Sequence, residues 1–199
     1  MENMALGAWC DVAEESIERD LERARALACR FNSEQGLTTE QRTDMLRELF
    51  GAIGEGSTLS LGLRFDFGYN IFIGRRCFVN FNAVFLDGGR IVLGDDVMVG
   101  PNATFATPLH PLVADQRSTG TGEGRAERLI ERYEPIVVED GAWIASSVTV
   151  NPGVTIGAGA VIGSGSVVTG NIPANTLAYG NPCRSVREIT DADRIGNVF

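Results

Sequence analysis

From Val138 onward an aliphatic residue returns at every sixth position: Val138, Ile144, Val150, Ile156, Ile162 and Val168. The hexads read VEDGAW, IASSVT, VNPGVT, IGAGAV, IGSGSV and VTGNIP. The same beat runs upstream in IGRRCF, VNFNAV and FLDGGR from Ile73, and in LGDDVM and VGPNAT from Leu93. A period of six fits neither the 3.6-residue helical turn nor a long two-residue strand alternation. It fits a coil of very short strands with a corner every sixth residue, the aliphatic side chain pointing into a narrow interior. A small residue often follows the aliphatic one. Gly, Asn and Asp gather between strands, where tight corners need φ values that other residues resist. The pattern predicts a mainly β chain folded as a parallel solenoid, because a Gly-rich sandwich has no reason to keep consecutive hexads in phase. Handedness does not follow from the spacing.

Two stretches leave the beat. Residues 1–55 read as a helical segment. Within Asp11–Arg30, rich in Glu, Arg, Ala and Leu, the residues Ile17, Leu21, Ala24 and Ala28 form an apolar stripe at helical spacing. A second helix is predicted from about Thr39 to Phe50, with a capping-box pattern in Thr38-Thr39-Glu40-Gln41 and Gly51 as its stop. Such a segment serves as an end cap over an open coil. The coil is expected over 56–185, followed by a tail over 186–199. It is interrupted at about 106–134 by a polar, Gly-rich excursion that contains His110, the only histidine. Long excursions from a rigid scaffold are where binding and catalysis tend to sit.

Composition narrows the function classes. The formal charge of −9 argues against a nucleic-acid partner held by general phosphate attraction. Every basic residue is arginine, which a coding bias explains without a functional reason. Cys10, Cys29, Cys77 and Cys183 lie far apart with no CxxC pair, so neither a disulfide framework nor a zinc ribbon is expected. One histidine cannot supply the usual zinc or iron ligand sets, and no metal is expected. Met1–Trp9 does not read as a signal peptide, and no run approaches the roughly 20 apolar residues of a membrane span. A soluble, cytoplasmic protein without a membrane partner is the expectation.

The chain resembles the maltose and galactoside O-acetyltransferases, a branch of the hexapeptide-repeat acyltransferases, nearly from end to end. The resemblance is carried by the helical N-terminus closing on Phe31-Asn32, by Gly68-Tyr69-Asn70-Ile71 with Ile73-Gly74, and by Val79-Asn80-Phe81-Asn82. It continues through Gly100-Pro101-Asn102-Ala103-Thr104, His110-Pro111, Trp143-Ile144, Val150–Gly157 and Gly180-Asn181-Pro182-Cys183-Arg184. The hexads alone signal a fold; the spacing from Pro101-Asn102 to His110-Pro111, with NPGVTIG and GNPCR, is specific. The resemblance implies a left-handed parallel β-helix with three hexads per coil. It also implies a homotrimer with active sites between subunits, and an N-terminal segment that helps form the acceptor pocket.

For the chemistry, the resemblance implies acetyl-CoA as acyl donor, a small hydroxylated acceptor such as a sugar or glycoside, and direct transfer. His110 is then the general base, a task that neutral imidazole suits near neutral pH. No GxSxG elbow is present and no cysteine has a sequence-adjacent base, so a covalent intermediate has little support. Ser146 maps to a backbone N–H for the oxyanion, and Trp143 and Gly100 to the pantetheine channel, although Trp143 also suits corner packing. Ser164 and Thr169 map to further coenzyme A contacts, and Arg184 and Arg187 to its nucleotide end, where a guanidinium fork suits phosphate. Asn80, Asp87 and Asp11 map to acceptor contacts.

Departures fall mostly on the acceptor side. Thr169-Gly170 stands where galactoside-type members place Thr-Lys, which removes one cationic contact to the donor. Asp87-Gly88 stands where two adjacent aspartates are frequent, and the stretch after His110 is longer. The alternatives are therefore an acetyltransferase acting on an antibiotic, another secondary metabolite or an amine, or a non-catalytic trimeric β-solenoid. A solenoid carbonic anhydrase lacks the histidines, and a nucleotidyltransferase-linked enzyme lacks its N-terminal nucleotide domain.

Overall fold

The computed structural model describes residues 7–119 and 128–196. The six-residue beat becomes a parallel β-helix of short strands on three faces. One face stacks Ala52–Ile53, Ile71–Ile73, Ile91–Leu93, Ile136–Val138 and Thr155–Ile156. A second stacks Arg64–Phe65, Val84–Leu86, Thr104–Ala106, Thr149–Val150 and Val167–Val168. The third carries Thr58–Leu59, Phe78–Val79, Met98–Val99, Trp143–Ile144, Val161–Ile162 and Thr176–Gly180. Cys183–Glu188 adds to the third face by turning back antiparallel to Thr176–Gly180.

The register lines up like with like. Leu93 pairs with Val138, Val99 with Ile144 and Phe105 with Val150, so each inward aliphatic sits on the one in the coil below. All six residues of the beat from Val138 to Val168 are fully buried. Removing each such side chain from water contributes about 1.5–3 kcal/mol. Phe85 and Phe105 fill the interior as stacked, near-parallel rings 5.0 Å apart. The small residue after the aliphatic has a steric cause: a Cβ on Gly74 would lie 2.4 Å from the carbonyl oxygen of Gly94 in the next coil. Corners turn through left-handed residues, and two of them, Arg76 and Asp96, stack with their side chains paired at 2.6 Å.

The N-terminal segment forms two helices, α1 (Glu15–Ser33) and α2 (Thr39–Arg47). Thr38 and Gln41 make the reciprocal capping box that their spacing predicts. α2 ends at Arg47, short of the expected Phe50. Leu49 and Phe50 leave the helix to seal the first coil, the Phe50 ring standing edge-on to Phe65 at 5.1 Å. On α1 the buried face runs through Ala24, Leu27, Ala28 and Phe31, while Ile17 and Leu21 are only half-buried. Asn32 docks α1 onto the coil: its Nδ2 donates to the Leu63 carbonyl and its Oδ1 accepts from Gly62 N. The first coil strand starts at Ala52, ahead of the expected 56, because Ala52–Ile53 pairs in parallel with Phe72–Ile73. At the other end Val186–Glu188 still belongs to a strand, so the tail expected from 186 is partly built into the sheet.

The described residues of the excursion form an element of their own. Pro108–Leu109, Ser118–Thr119 and Cys10–Asp11 all pair antiparallel with Arg128–Tyr133, with a short helix at Ala114–Arg117 between the first two. One long strand thus ties the N-terminal segment to the residues that carry His110.

Candidate active site

His110 follows Pro108–Leu109, whose pairing with Arg132–Tyr133 holds the backbone. Its ring lies 3.1 Å, through Nδ1, from the carbonyl oxygen of Ile130. A carbonyl only accepts, so Nδ1 carries the proton in this contact, and in the neutral imidazole the lone pair is then on Nε2. The imidazole is 40% exposed, open to an incoming molecule. Facing Nε2 at 3.6 Å is Oε1 of Glu131.

Two hollows bear on the chemistry, one beside the excursion and one on the coil. One of about 660 Å³ is lined by Trp9, Cys10, Asp11, Pro111, Leu112, Asp115, Gln116, Arg128 and Ile130. The other, about 230 Å³, runs across the third face of the coil between Phe78, Asn80, Met98, Gly100, Trp143, Ser146 and Ser164. Its walls suit an extended acyl-pantetheine arm: exposed Phe78, Met98 and Trp143 offer apolar surface, and stacked coil backbone lies between them. Gly100 is required by that stacking, since a Cβ would lie 2.7 Å from Ser146 N. Among the described residues the Ser146 N–H donates to no acceptor, whereas Ala145 N–H goes to Ile162 and Ser147 N–H to Pro101.

The other sequence-predicted residues are placed unevenly. Asn80 joins the coil-face hollow rather than the histidine, its Oδ1 accepting from Phe81 N. Thr169 and Arg184 are exposed near the C-terminal strands, and Arg187 is forked onto Asp193 at 2.7 and 2.8 Å. Asp11 accepts from Ala13 N, Leu129 N and Arg128, which hold its carboxyl below the usual range, the Ala13 bond foremost. It clasps the N-terminal strand to the excursion at the rim of the larger hollow.

Asp87 departs most from expectation. It is fully buried, with Oδ1 accepting from Asp66 N and Phe67 N and Oδ2 from Gly68 N. Burial pushes its carboxyl upward against the pull of those N–H groups. The expected contact with an acceptor is thus replaced by a clamp on the 66–68 turn.

Sequence reasoning missed Glu131, Tyr133 and Asp66. Tyr133 donates from its hydroxyl to Glu131 Oε2. Burial, then Asp87 and Glu131, push Asp66 up to about 6. The available signal was weak: apolar and polar residues alternate only briefly along Arg128–Tyr133, within a stretch read as irregular.

Comparison with known proteins agrees with this architecture. The maltose acetyltransferase hexapeptide capping motif matches residues 4–54, and the bacterial transferase hexapeptide motif matches 135–170. The chain is 38% identical over 187 residues to galactoside O-acetyltransferase of Escherichia coli (strain K12), covering 94% of this chain and 87% of that protein. A hexapeptide-repeat acetyltransferase of Vibrio cholerae O1 biovar eltor, solved with acetyl coenzyme A, superposes with a TM-score of 0.82 at 37% identity over 96% of this chain and 98% of that one. A maltose O-acetyltransferase of Clostridium difficile 630 gives 0.84 at 38% identity over 93% and 94%. With the coil, the helical cap and the histidine-bearing excursion in place, the chain belongs to the galactoside and maltose O-acetyltransferase family of hexapeptide-repeat transferases.

Proposed function

We propose that this protein transfers an acetyl group from acetyl-CoA directly to a hydroxyl of a sugar, glycoside or similar small molecule, with His110 as general base. The observation that carries the reading is the Nδ1 contact to the Ile130 carbonyl, which leaves Nε2 as the basic nitrogen whenever the imidazole is neutral. Nε2 takes the hydroxyl proton as the oxygen attacks the thioester carbonyl. The C–O bond forms and the oxyanion is met by the Ser146 N–H, a role favoured by that group's lack of an acceptor among the described residues. Collapse breaks the C–S bond, and the imidazolium returns its proton to the departing sulfur.

The pantetheine arm is assigned to the hollow of Gly100, Trp143, Ser146 and Ser164, with Thr169 and Arg184 further along it. Arg187 serves the nucleotide end only if phosphate displaces Asp193. Asn80, Asp11 and the larger hollow are assigned to the acceptor side. His110 is not among the residues lining the donor hollow. That separation supports a homotrimer in which the base of one subunit faces the donor strip of the next. A cytoplasmic location fits four cysteines that are all free thiols.

The test is acetyl-CoA-dependent thiol release over a panel of glycosides, free sugars and alcohol-bearing metabolites, beside His110→Ala. The variant is expected to lose about 10²–10⁴-fold in kcat/KM. Equal rates in both proteins would remove His110 from the mechanism, and failure to bind acetyl-CoA would leave a non-catalytic solenoid.

A further inference from the structure

Arg187 ends a line of residues in register on the third face. The line runs Phe78, Met98, Trp143, Val161, Leu177 and then, across the final hairpin, Arg187. The first three and the last are exposed, and Phe78, Met98 and Trp143 border the coil-face hollow. A guanidinium thus stands on the same face, three strands beyond the tryptophan.

That guanidinium is already occupied. Nη2 donates to Asp193 Oδ1 at 2.7 Å, and Nη1 donates to Asp193 Oδ2 at 2.8 Å and to the Glu188 carbonyl at 2.9 Å. A two-pronged fork is what guanidinium offers to phosphate, and here a carboxylate of the same sign fills it. The Arg187 bonds foremost, then the Thr190 N–H, pull the Asp193 carboxyl down to about 2, so it is anionic at any working pH. Arg184, opposite Tyr179 in the same hairpin, pairs with no carboxylate among the described residues and donates to the Cys183 carbonyl.

Asp193 is held by its own turn. Thr190 N donates to Asp193 Oδ2, Ala192 N donates to Thr190 Oγ1, and Arg194 reaches back to Asp191. The nearest tie to the coil is Ile189 N onto the Asn175 carbonyl. The turn can therefore swing off Arg187 without disturbing a coil strand. Arg187 and Asp193 are 51% and 32% exposed, a surface pair that contributes little to the fold. A phosphate monoester, with up to two charges and three acceptor oxygens, competes well for such a fork.

We propose that Asp193 sets the affinity of the donor site: its carboxylate holds Arg187 in place of a phosphate of coenzyme A, and a bound donor displaces the 190–194 turn to take the guanidinium. The contact weakens donor and product alike, and so favours release of coenzyme A after transfer. The inference rests on the reading that this face is the donor strip and Arg187 its nucleotide end.

The experiment measures binding of coenzyme A, and of pantetheine, which has the arm but no phosphate. The full-length wild type, Asp193→Asn, Arg187→Gln and the double variant are compared by calorimetry. Asp193→Asn keeps an oxygen for Thr190 N and removes the charge. It should tighten coenzyme A by about 3–10-fold, the scale of an exposed ion pair no longer to be broken, and leave pantetheine unchanged. Arg187→Gln should weaken coenzyme A, and in that background Asp193→Asn should gain far less. Amides of 190–194 should exchange with solvent faster in the coenzyme A complex than in the protein alone. Unchanged or weaker coenzyme A binding in Asp193→Asn overturns the proposal, as does an equal gain on both ligands or slower exchange of the turn. An undiminished gain beside Arg187→Gln also overturns it, since the carboxylate would then act on the ligand directly. Intact binding in Arg187→Gln removes Arg187 from the donor site and the proposal with it. A wild type that binds no coenzyme A sinks the donor reading itself, so the failures remain distinct.

Discussion

Asp87 gathers three consecutive N–H groups of the 66–68 turn, and this turn brings Asp66 against the carboxylates of Asp87 and Glu131. Asp66 pays for that placement: burial foremost, then its two neighbours, lift its carboxyl from 3.8 to about 6. The folded state therefore holds the proton more tightly than the unfolded chain. Stability from this group is fully present below about pH 4 and is lost as pH rises through about 6. Asp66→Asn removes the charge and should raise stability at pH 7 by about 1–3 kcal/mol. It should also flatten the fall between pH 4 and 6, as urea unfolding at several pH values will show. Identical pH profiles for the wild type and Asp66→Asn would mean that Asp66 is solvated in solution.

At the scale of elements, the strand Arg128–Tyr133 is the part of the molecule that departs from the hexad rule. It pairs with three separate segments and sets Ile130 against the histidine from one side and Glu131 from the other. Its position depends on Gly88, for only a residue without a Cβ lets the Tyr133 ring lie on that corner. Gly88→Ala should destabilise the fold by about 1–3 kcal/mol through overpacking. The cost should be largely absent in a Tyr133→Ala background, because the two changes meet at one contact. Additive losses in denaturant titrations of the single and double variants would show that the contact is not the cause. Parts of this element were hard to read from sequence for a physical reason: a six-residue strand with Arg at two positions and Glu at a third has little periodic signal, and its partners lie far away along the chain.

At the scale of the whole molecule, the third face of the coil presents an outward column in register, Phe78 beside Met98 beside Trp143. These side chains are 39%, 53% and 49% exposed in the single chain. An in-register apolar column of this kind suits a surface shared with neighbouring subunits. If the proposed trimer uses this face, Met98→Glu introduces three like charges at it. The variant should then fall from trimer to monomer by light scattering, with acetyl-CoA-dependent activity lost in parallel. An unchanged mass would place the subunit contact elsewhere.

Which residues point inward, where the corners fall and that helices cap the first coil were legible in the sequence, because each depends on neighbours at a fixed short spacing. Ile144 is buried for the same reason as Val138 and Val150, and Thr38 caps α2 through a residue three positions on. The resemblance also pointed to His110, a residue unique in the chain. What surrounds that histidine was decided only by the tertiary structure. Asp87 became a buried clamp, Arg187 took Asp193 as its partner, and Glu131, Tyr133, Gly88 and Asp66 met around one space. Apart from Arg187 with Asp193, six residues on, and Glu131 with Tyr133, two residues on, these contacts join distant segments, such as Asp66 to Asp87 at 21 and Cys10 to Glu131 at 121. No local pattern records such a meeting, since it is the coil's own stacking and the folding back of the excursion that bring these residues within reach of each other.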